Sequence, residues 1–408
     1  MPENISQAKD SLCEWRDRMS KQIPEMLDSL SQLVATPSVS STDPLLDQSN
    51  RDVVELLAGW LEGIGFKVEL LPITTEAAAP EKFNLIACLG EGEGGLVLSG
   101  HTDTVPYSAD AWYQDPFKLT EKEDRIHGLG ICDMKCFFPI VLEVARQFNA
   151  SELRQPLYVL ATADEESTMS GARALAAYGK SLGRHALIGE PTSLMPVYMH
   201  KGILMESIKI IGQEGHSSNP ALGNSALEGM HMVIGAIMAW REELQKQFRD
   251  TRFSVPEPTI NFGTIRGGDN PNKICAECEL TIDLRLMPEM ELEKIRADLR
   301  TLVSDTIADS GLRAEYNSVF DGIPGFETDI NSEVIQIAER LCGRESGTVA
   351  FGTEGPYLNA MGMDTVVLGP GDIDQAHQAN EYLSLQKIPP MLDILTKMVA
   401  HFCVQPAN

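Results

Sequence analysis

The chain has 408 residues, 43% hydrophobic and 23% charged, enough for a large core and two domains. Against 33 Lys and Arg stand 59 Asp and Glu, a net charge of -26 that argues against nucleic acid and anionic membrane surfaces as partners. No apolar run is long enough to span a bilayer, and the polar start MPENISQAKD reads as neither a secretory signal nor a transit peptide, so the expected location is the cytoplasm. The acidity itself is read first as surface solvation and second as a mild attraction for a cationic small molecule.

In chain order, LLAGWLEGIGF has the spacing of an amphipathic helix ended by glycine, and KVELLPI, NLIACLG and GLVLSG read as strands. CFFPIVLEVARQF is a mostly apolar helix, followed by strands at PLYVLATAD and HALIGE. Continuous apolar strands separated by helices imply a sheet covered on both faces. The character changes near His200. GILMESIKIIGQ is a strand, and NSALEGMHMVIGAIMAWREELQKQF is a long helix capped by Asn224 or Ser225. PTINFGTIRGG and NKICAECELTIDLRLM are strands joined by a Gly-rich turn. ELEKIRADLRTLVSDTIADSG is a helix with glycine just past its end, and LRAEYNSVF is the closing strand. That β-α-β-β-α-β order is the ferredoxin-like pattern. The earlier style then resumes with the helix INSEVIQIAERLCG, the strand DTVVLGPGD and a last helix PPMLDILTKMVAHFC, with proline where a missing N–H costs little. The expected fold is α/β: a discontinuous mixed-sheet domain of residues 1–198 and 320–408, with helices on both faces, and an inserted α+β domain of residues 199–319.

The eight cysteines (13, 88, 132, 136, 275, 278, 342 and 403) are expected as free thiols in a long chain without an export signal. Cys275 and Cys278 form a CxxC, but on one extended strand they point to opposite faces, so small buried hydrophobes is the preferred reading over a zinc knuckle.

The strands end in chemistry. LVLSG runs into His101 and Asp103, LYVLATAD into Asp164, Glu165 and Glu166, ALIG into Glu190, and VVLGPGDIDQA into His377, while Asp133 sits in the loop GLGICDMKC. Ligands of open α/β sheets bind beyond the carboxyl ends of the strands, so these groups can share one edge. Acids clustered without Lys or Arg repel one another, and divalent cations would hold them deprotonated. Mixed His and carboxylate donors suit Zn²⁺, with Co²⁺ or Mn²⁺ also compatible. Taken singly, each group reads more readily as a capped or solvated strand-end residue; the conjunction favours a metal site.

The motifs GHTDTVP, GLGICDMK, ATADEE, GEPT, GHSSNP, GGDNPNKIC with DLR, and GPGDIDQAHQANEY occur in order over nearly the whole chain. Together they resemble the aminoacylase and carboxypeptidase family of dinuclear zinc peptidases and deacylases. Within it, HTDTVPY, IGEPTSL, HKG, FGTEGPYL and AHQANEYL resemble the branch acting on N²-acetyl-L-ornithine. The resemblance implies two divalent metal ions, His101 and Glu190 on one, Glu166 and His377 on the other, and Asp133 bridging them. It implies Asp103 orienting His101 and Glu165 as general base. It also implies His216 as an oxyanion-stabilising group supplied by the inserted lid domain, from the partner subunit of a homodimer. Asn272 and Arg285 fall where the family holds a substrate carboxylate. Glu354 is added from charge alone as a partner for a side-chain ammonium. Cys136 stands where relatives carry glycine and could shift the Asp133 loop.

The expected reaction is metal-dependent hydrolysis of an N-acyl amino acid, N²-acetyl-L-ornithine first, which would place it in arginine biosynthesis. Succinyl-diaminopimelate, acetylcitrulline and other N-acyl amino acids are the alternatives. A binding protein that kept the fold, or a metal-free hydrolase using paired carboxylates, are the rivals from other classes. Bare spacing leaves His216 equally a helix-entry turn residue and Arg285 a strand-surface ion pair.

Overall fold

The computed structural model describes residues 25–74, 79–180 and 182–404. Cys13 lies outside them. Two compact units divide the chain: residues 1–198, 328–346 and 357–408 form the first, and 199–327 with 347–356 the second. The second crossing therefore falls at 327/328 rather than 319/320. Residues 347–356, which include Glu354, group with the second unit, whereas the sequence pattern places them in the first.

The strands are β1 (Lys67–Ile73), β2 (Lys82–Leu89), β3 (Leu96–His101), β4 (Leu157–Thr162), β5 (His185–Ile188), β6 (Val197–His200), β7 (Gly202–Ile211), β8 (Thr259–Gly267), β9 (Glu277–Leu286), β10 (Arg313–Ile323) and β11 (Asp364–Val367). In the first unit the order is β1-β2-β4-β3-β5-β11, with Val197 of β6 paired to Val367 of β11. The sheet is mixed: β1 and β2 run antiparallel to their neighbours, whereas β3, β4, β5 and β11 are mutually parallel. Every residue of β3 and β5 is buried, so both faces are covered, and each large aliphatic side chain removed from water contributes about 1.5–3 kcal/mol. Helix Arg51–Gly63 buries Val53, Val54, Leu57 and Leu61, one stripe at helical spacing, whereas helix Phe137–Ala145 is buried at every position. The latter lies deep because Gly189 lets it approach: a Cβ there would stand 2.2 Å from the Phe137 ring. Three-residue strands Thr120–Lys122, Arg125–His127 and Tyr382–Ser384 form a small second sheet that the sequence reading did not anticipate.

The second unit has the four-stranded order β8-β9-β7-β10, antiparallel throughout. Numbered within the unit this is 2-3-1-4, the ferredoxin-like arrangement. Its long helix Ala226–Gln247 is capped by Ser225, whose Oγ accepts the Glu228 N–H at 3.3 Å, while the amide of Asn224 donates to the Ser310 carbonyl. Strand β9 begins at Glu277, later than the apolar pattern suggested, leaving Cys275 in the preceding loop and Cys278 buried on the strand. Among the described residues, no helix is long and apolar enough to cross a membrane.

Candidate metal centre

Strand register brings the first groups together. The parallel β3–β4 ladder runs to His101 opposite Thr162, and continues with Thr102 N–H donating to the Thr162 carbonyl at 2.9 Å. The segments 101–103 and 164–166 are therefore neighbours before any side chain is considered. The β3–β5 ladder does the same for Glu190, two residues past β5.

At this edge His101 Nε2 lies 3.0 Å from Asp133 Oδ1 and 3.9 Å from Glu190 Oε1. His377 Nε2 lies 2.9 Å from Glu166 Oε2 and 3.5 Å from Asp133 Oδ2. Asp133 thus faces one imidazole with each oxygen. Two overlapping sets, His101 with Glu165 and Glu190, and His101 with Asp133 and Glu166, have ligand atoms all within 4.8 Å of one another. His101, Asp133 and Glu190 are buried. The nearest partner of His101 Nδ1 is the Asp103 backbone carbonyl at 3.0 Å, with the Asp103 carboxylate at 3.6 Å. That carboxylate instead accepts the N–H groups of Glu165 at 3.3 Å and Glu166 at 3.0 Å, so Asp103 holds the Glu165–Glu166 turn as well as facing His101.

The electrostatics are those of a crowded anion cluster. Burial first, then Asp133 and Glu165, push the Glu190 pKa well above the usual carboxylate value. Burial and Asp133 also raise that of Glu166. Burial works against the charged form of His101, but Asp103 and Asp133 outweigh it and lift its pKa well above the ordinary imidazole value. Contacts with Asp133 and Glu166 raise His377 to about 11. Burial alone would raise Asp133, yet the two imidazoles hold it low.

Do these residues fit divalent cations? Glu190 Oε1 is buried with no hydrogen-bond partner, an acceptor lacking the positive charge that its position calls for. Mixed imidazole and carboxylate donors converge around it, and such a set suits Zn²⁺ and its neighbours. The site fits.

Sequence reasoning missed the residue that holds the Asp133 loop. Glu381 is 3% exposed, and its carboxylate accepts N–H groups of Gly130 at 2.9 Å, Cys132 at 2.6 Å and Asp133 at 3.0 Å. Burial lifts its pKa to about 8, the three N–H donors opposing. The motif AHQANEYL contained it, and its signal was an acid four residues past His377 at the mouth of a short strand. Cys136, the departure from the family pattern, is buried in ordinary right-handed helical conformation (φ -61°), so the position makes no demand for glycine.

The other expected residues lie in the second unit. The His216 Nδ1 accepts from the Ser218 N–H and hydroxyl at 3.2 and 2.7 Å in an exposed turn. Asn272 accepts the Ser217 N–H on its backbone carbonyl at 3.1 Å, so the His216 and Asn272 loops are stitched together. Arg285 donates through Nε and Nη2 to both oxygens of Asp283, each at 3.0 Å, two residues away on the same strand face. Glu354 is buried, and the preceding Thr353 N–H donates to His200 Nε2 at 3.1 Å.

Residues 97–401 match the model of peptidase family M20/M25/M40, and the chain belongs to that family. It is 45% identical over 383 residues to an acetylornithine deacetylase of Pasteurella multocida (strain Pm70), covering 94% of this chain and 99% of that one. It is 44% identical over 385 residues to an acetylornithine deacetylase of Edwardsiella ictaluri (strain 93-146), with 94% and 100% covered. Among solved structures, a di-peptidase of Saccharomyces cerevisiae superposes with a TM-score of 0.73 at 16% identity, covering 97% of this chain and 99% of that one. The chain is a hydrolase of the mixed α/β architecture its motifs implied.

Proposed function

We propose that this enzyme hydrolyses N²-acetyl-L-ornithine to L-ornithine and acetate, a step of arginine biosynthesis. The observation that carries the reading is identity of 42–45% over almost the full length to relatives of that name. Two divalent cations, Zn²⁺ first and Co²⁺ or Mn²⁺ as alternatives, would be held by His101, Glu190, Glu166, His377 and Asp133. Bound there, they would supply Lewis acidity to the reaction. Glu165 takes a proton from the hydrolytic water as its oxygen attacks the amide carbonyl carbon, then returns it to the departing nitrogen as the C–N bond breaks. Its place supports this role, since it follows Asp164 and precedes Glu166 on a turn pinned by Asp103. His216 donates to the oxygen that gains charge, Asn272 and Arg285 hold the α-carboxylate, and Glu354 takes the side-chain ammonium. For Arg285 the third nitrogen, Nη1, is the one its bond to Asp283 leaves over.

The working form is a homodimer joined through the second unit. Exposed Leu227 and Met238 on helix Ala226–Gln247, and exposed Ile265 on the edge strand β8, support that surface. The proposed location is the cytoplasm, where the free thiols of Cys88, Cys132, Cys136, Cys275, Cys278, Cys342 and Cys403 are stable.

The test is kcat/KM with two equivalents of Zn²⁺ or Co²⁺ against acetylornithine, acetylcitrulline and succinyl-diaminopimelate. Acetylornithine is expected to lead. A higher value for either competitor, or activity that survives chelation, overturns the reading.

A further inference from the structure

Asp164, the residue before the Glu165–Glu166 pair, has no part in the chemistry above, yet it is held by several partners. Its φ is 58°, in the left-handed region that a non-glycine residue occupies only when its surroundings impose it. Its carboxylate lies 2.7 Å from Lys82 Nζ and accepts from the Ser40 hydroxyl at 2.9 Å and the Ser170 hydroxyl at 2.6 Å. Its carbonyl accepts the N–H groups of Thr168 at 3.1 Å and Met169 at 2.7 Å. Lys82 is 2% exposed and also lies 2.7 Å from Asp47, so one buried ammonium serves two carboxylates. On the two residues after Asp164, Asp103 holds the N–H groups of Glu165 and Glu166.

We propose that the Lys82–Asp164 pair is a positioning device for Glu165: with Asp103 it clamps the turn and fixes where the proton-carrying carboxylate stands. This rests on Glu165 being the proton carrier. Lys82 arrives from the first residue of β2, an antiparallel strand that supplies no metal donor. Its charge is therefore spent on the turn and not on the cations. The Glu166 side chain has its own partner, His377 Nε2 at 2.9 Å, separate from Asp164. Loosening Asp164 therefore acts on turnover before it acts on metal retention. Misplacing a reacting group by about an ångström costs roughly a hundredfold in rate.

The experiment compares Lys82→Met and Ser170→Ala with the parent enzyme. Four readouts are taken: kcat, KM, metal per chain, and amide hydrogen exchange at Glu165 and Glu166 in the metal-free protein. For Lys82→Met the expected result is a kcat lowered at least about tenfold, KM within about twofold and full metal content. Exchange at the two amides accelerates, while that of β5 is unchanged. Ser170→Ala, which strands no charge, shows smaller shifts in the same direction and decides the matter if Lys82→Met does not fold. Parent-like kcat and exchange in a folded variant overturn the proposal, as does a kcat loss matched by metal loss. A fully active Glu165→Gln enzyme would sink the proton-carrier reading instead, and the exchange data would still report on the clamp.

Discussion

His377 and Glu166 are separated by 211 positions, yet Nε2 of one lies 2.9 Å from Oε2 of the other. No local interaction brings them together; the parallel β3–β4 register delivers the Glu166 turn, and the Gly/Pro loop after β11 delivers His377. His377 itself has a left-handed backbone (φ 60°).

Glu165 and Glu190 are expected to separate cleanly by substitution. Glu165→Gln should lower kcat by about 10²–10⁴ with both metals retained. Glu190→Gln should lose metal first, and activity with it. Metal analysis beside steady-state kinetics checks both; a metal-depleted Glu165→Gln enzyme would reverse the assignments.

Glu381→Gln keeps the shape but offers an NH₂ group to backbone N–H donors. The Asp133 loop should then be held by fewer bonds, and metal affinity should fall about 10–100-fold. Competition with a chromophoric chelator measures this. Unchanged affinity would mean the loop is fixed by other contacts.

On the substrate side, His216→Ala should lose kcat at full metal content. Glu354→Gln should raise KM for acetylornithine more than for a substrate with an uncharged side chain. A Glu354→Gln enzyme with unaltered KM removes that residue from the ammonium site.

Metal binding should release protons. Without metal the pKa of His377 is raised to about 11, so its ring carries a proton at pH 7, and Asp103 and Asp133 also raise that of His101. Cation and proton compete for the same nitrogens, and apparent affinity should fall about tenfold per pH unit for each proton displaced as pH is lowered. Calorimetry in buffers of differing ionisation enthalpy counts the protons; none released would contradict the arrangement.

Acid stability has a separate marker in the second unit. Burial depresses His200 to about 4, with Nδ1 against the Lys201 carbonyl at 2.9 Å and Nε2 accepting from Thr353. The unfolded chain takes up this proton below about 6.5 and the folded one does not. Stability is therefore full above pH 6.5 and is lost as pH falls toward 4, by about 3 kcal/mol in all. Melting curves from pH 4 to 7 should show the slope, and His200→Gln should flatten it.

Much of this was legible because the chemistry sits where strands stop. An apolar run ending in small residues and then His101-x-Asp103 announces a strand aimed at a site, and the β-α-β-β-α-β order of the insert emerges from periodicity alone. What escaped notice depends on partners remote in sequence. Lys82 looks like an ordinary strand-entry lysine until Asp47 and Asp164 flank it. Glu381 looks like a loop acid until three N–H groups converge on it. The Asp103 carboxylate was assigned to His101, but the nearer bond to Nδ1 comes from its backbone, a distinction invisible to spacing. The three-residue strands near Thr120 and Tyr382 are too short to carry a period.

The Glu381 cradle also sets a schedule. A ribosome completes the stretch carrying His101, Asp133, Glu166 and Glu190 long before it reaches His377 and Glu381 four residues apart. Until that last loop emerges, the nascent chain lacks one imidazole and the carboxylate that shapes the Asp133 loop. The full donor set and its support are therefore assembled only once the chain has been made through Glu381.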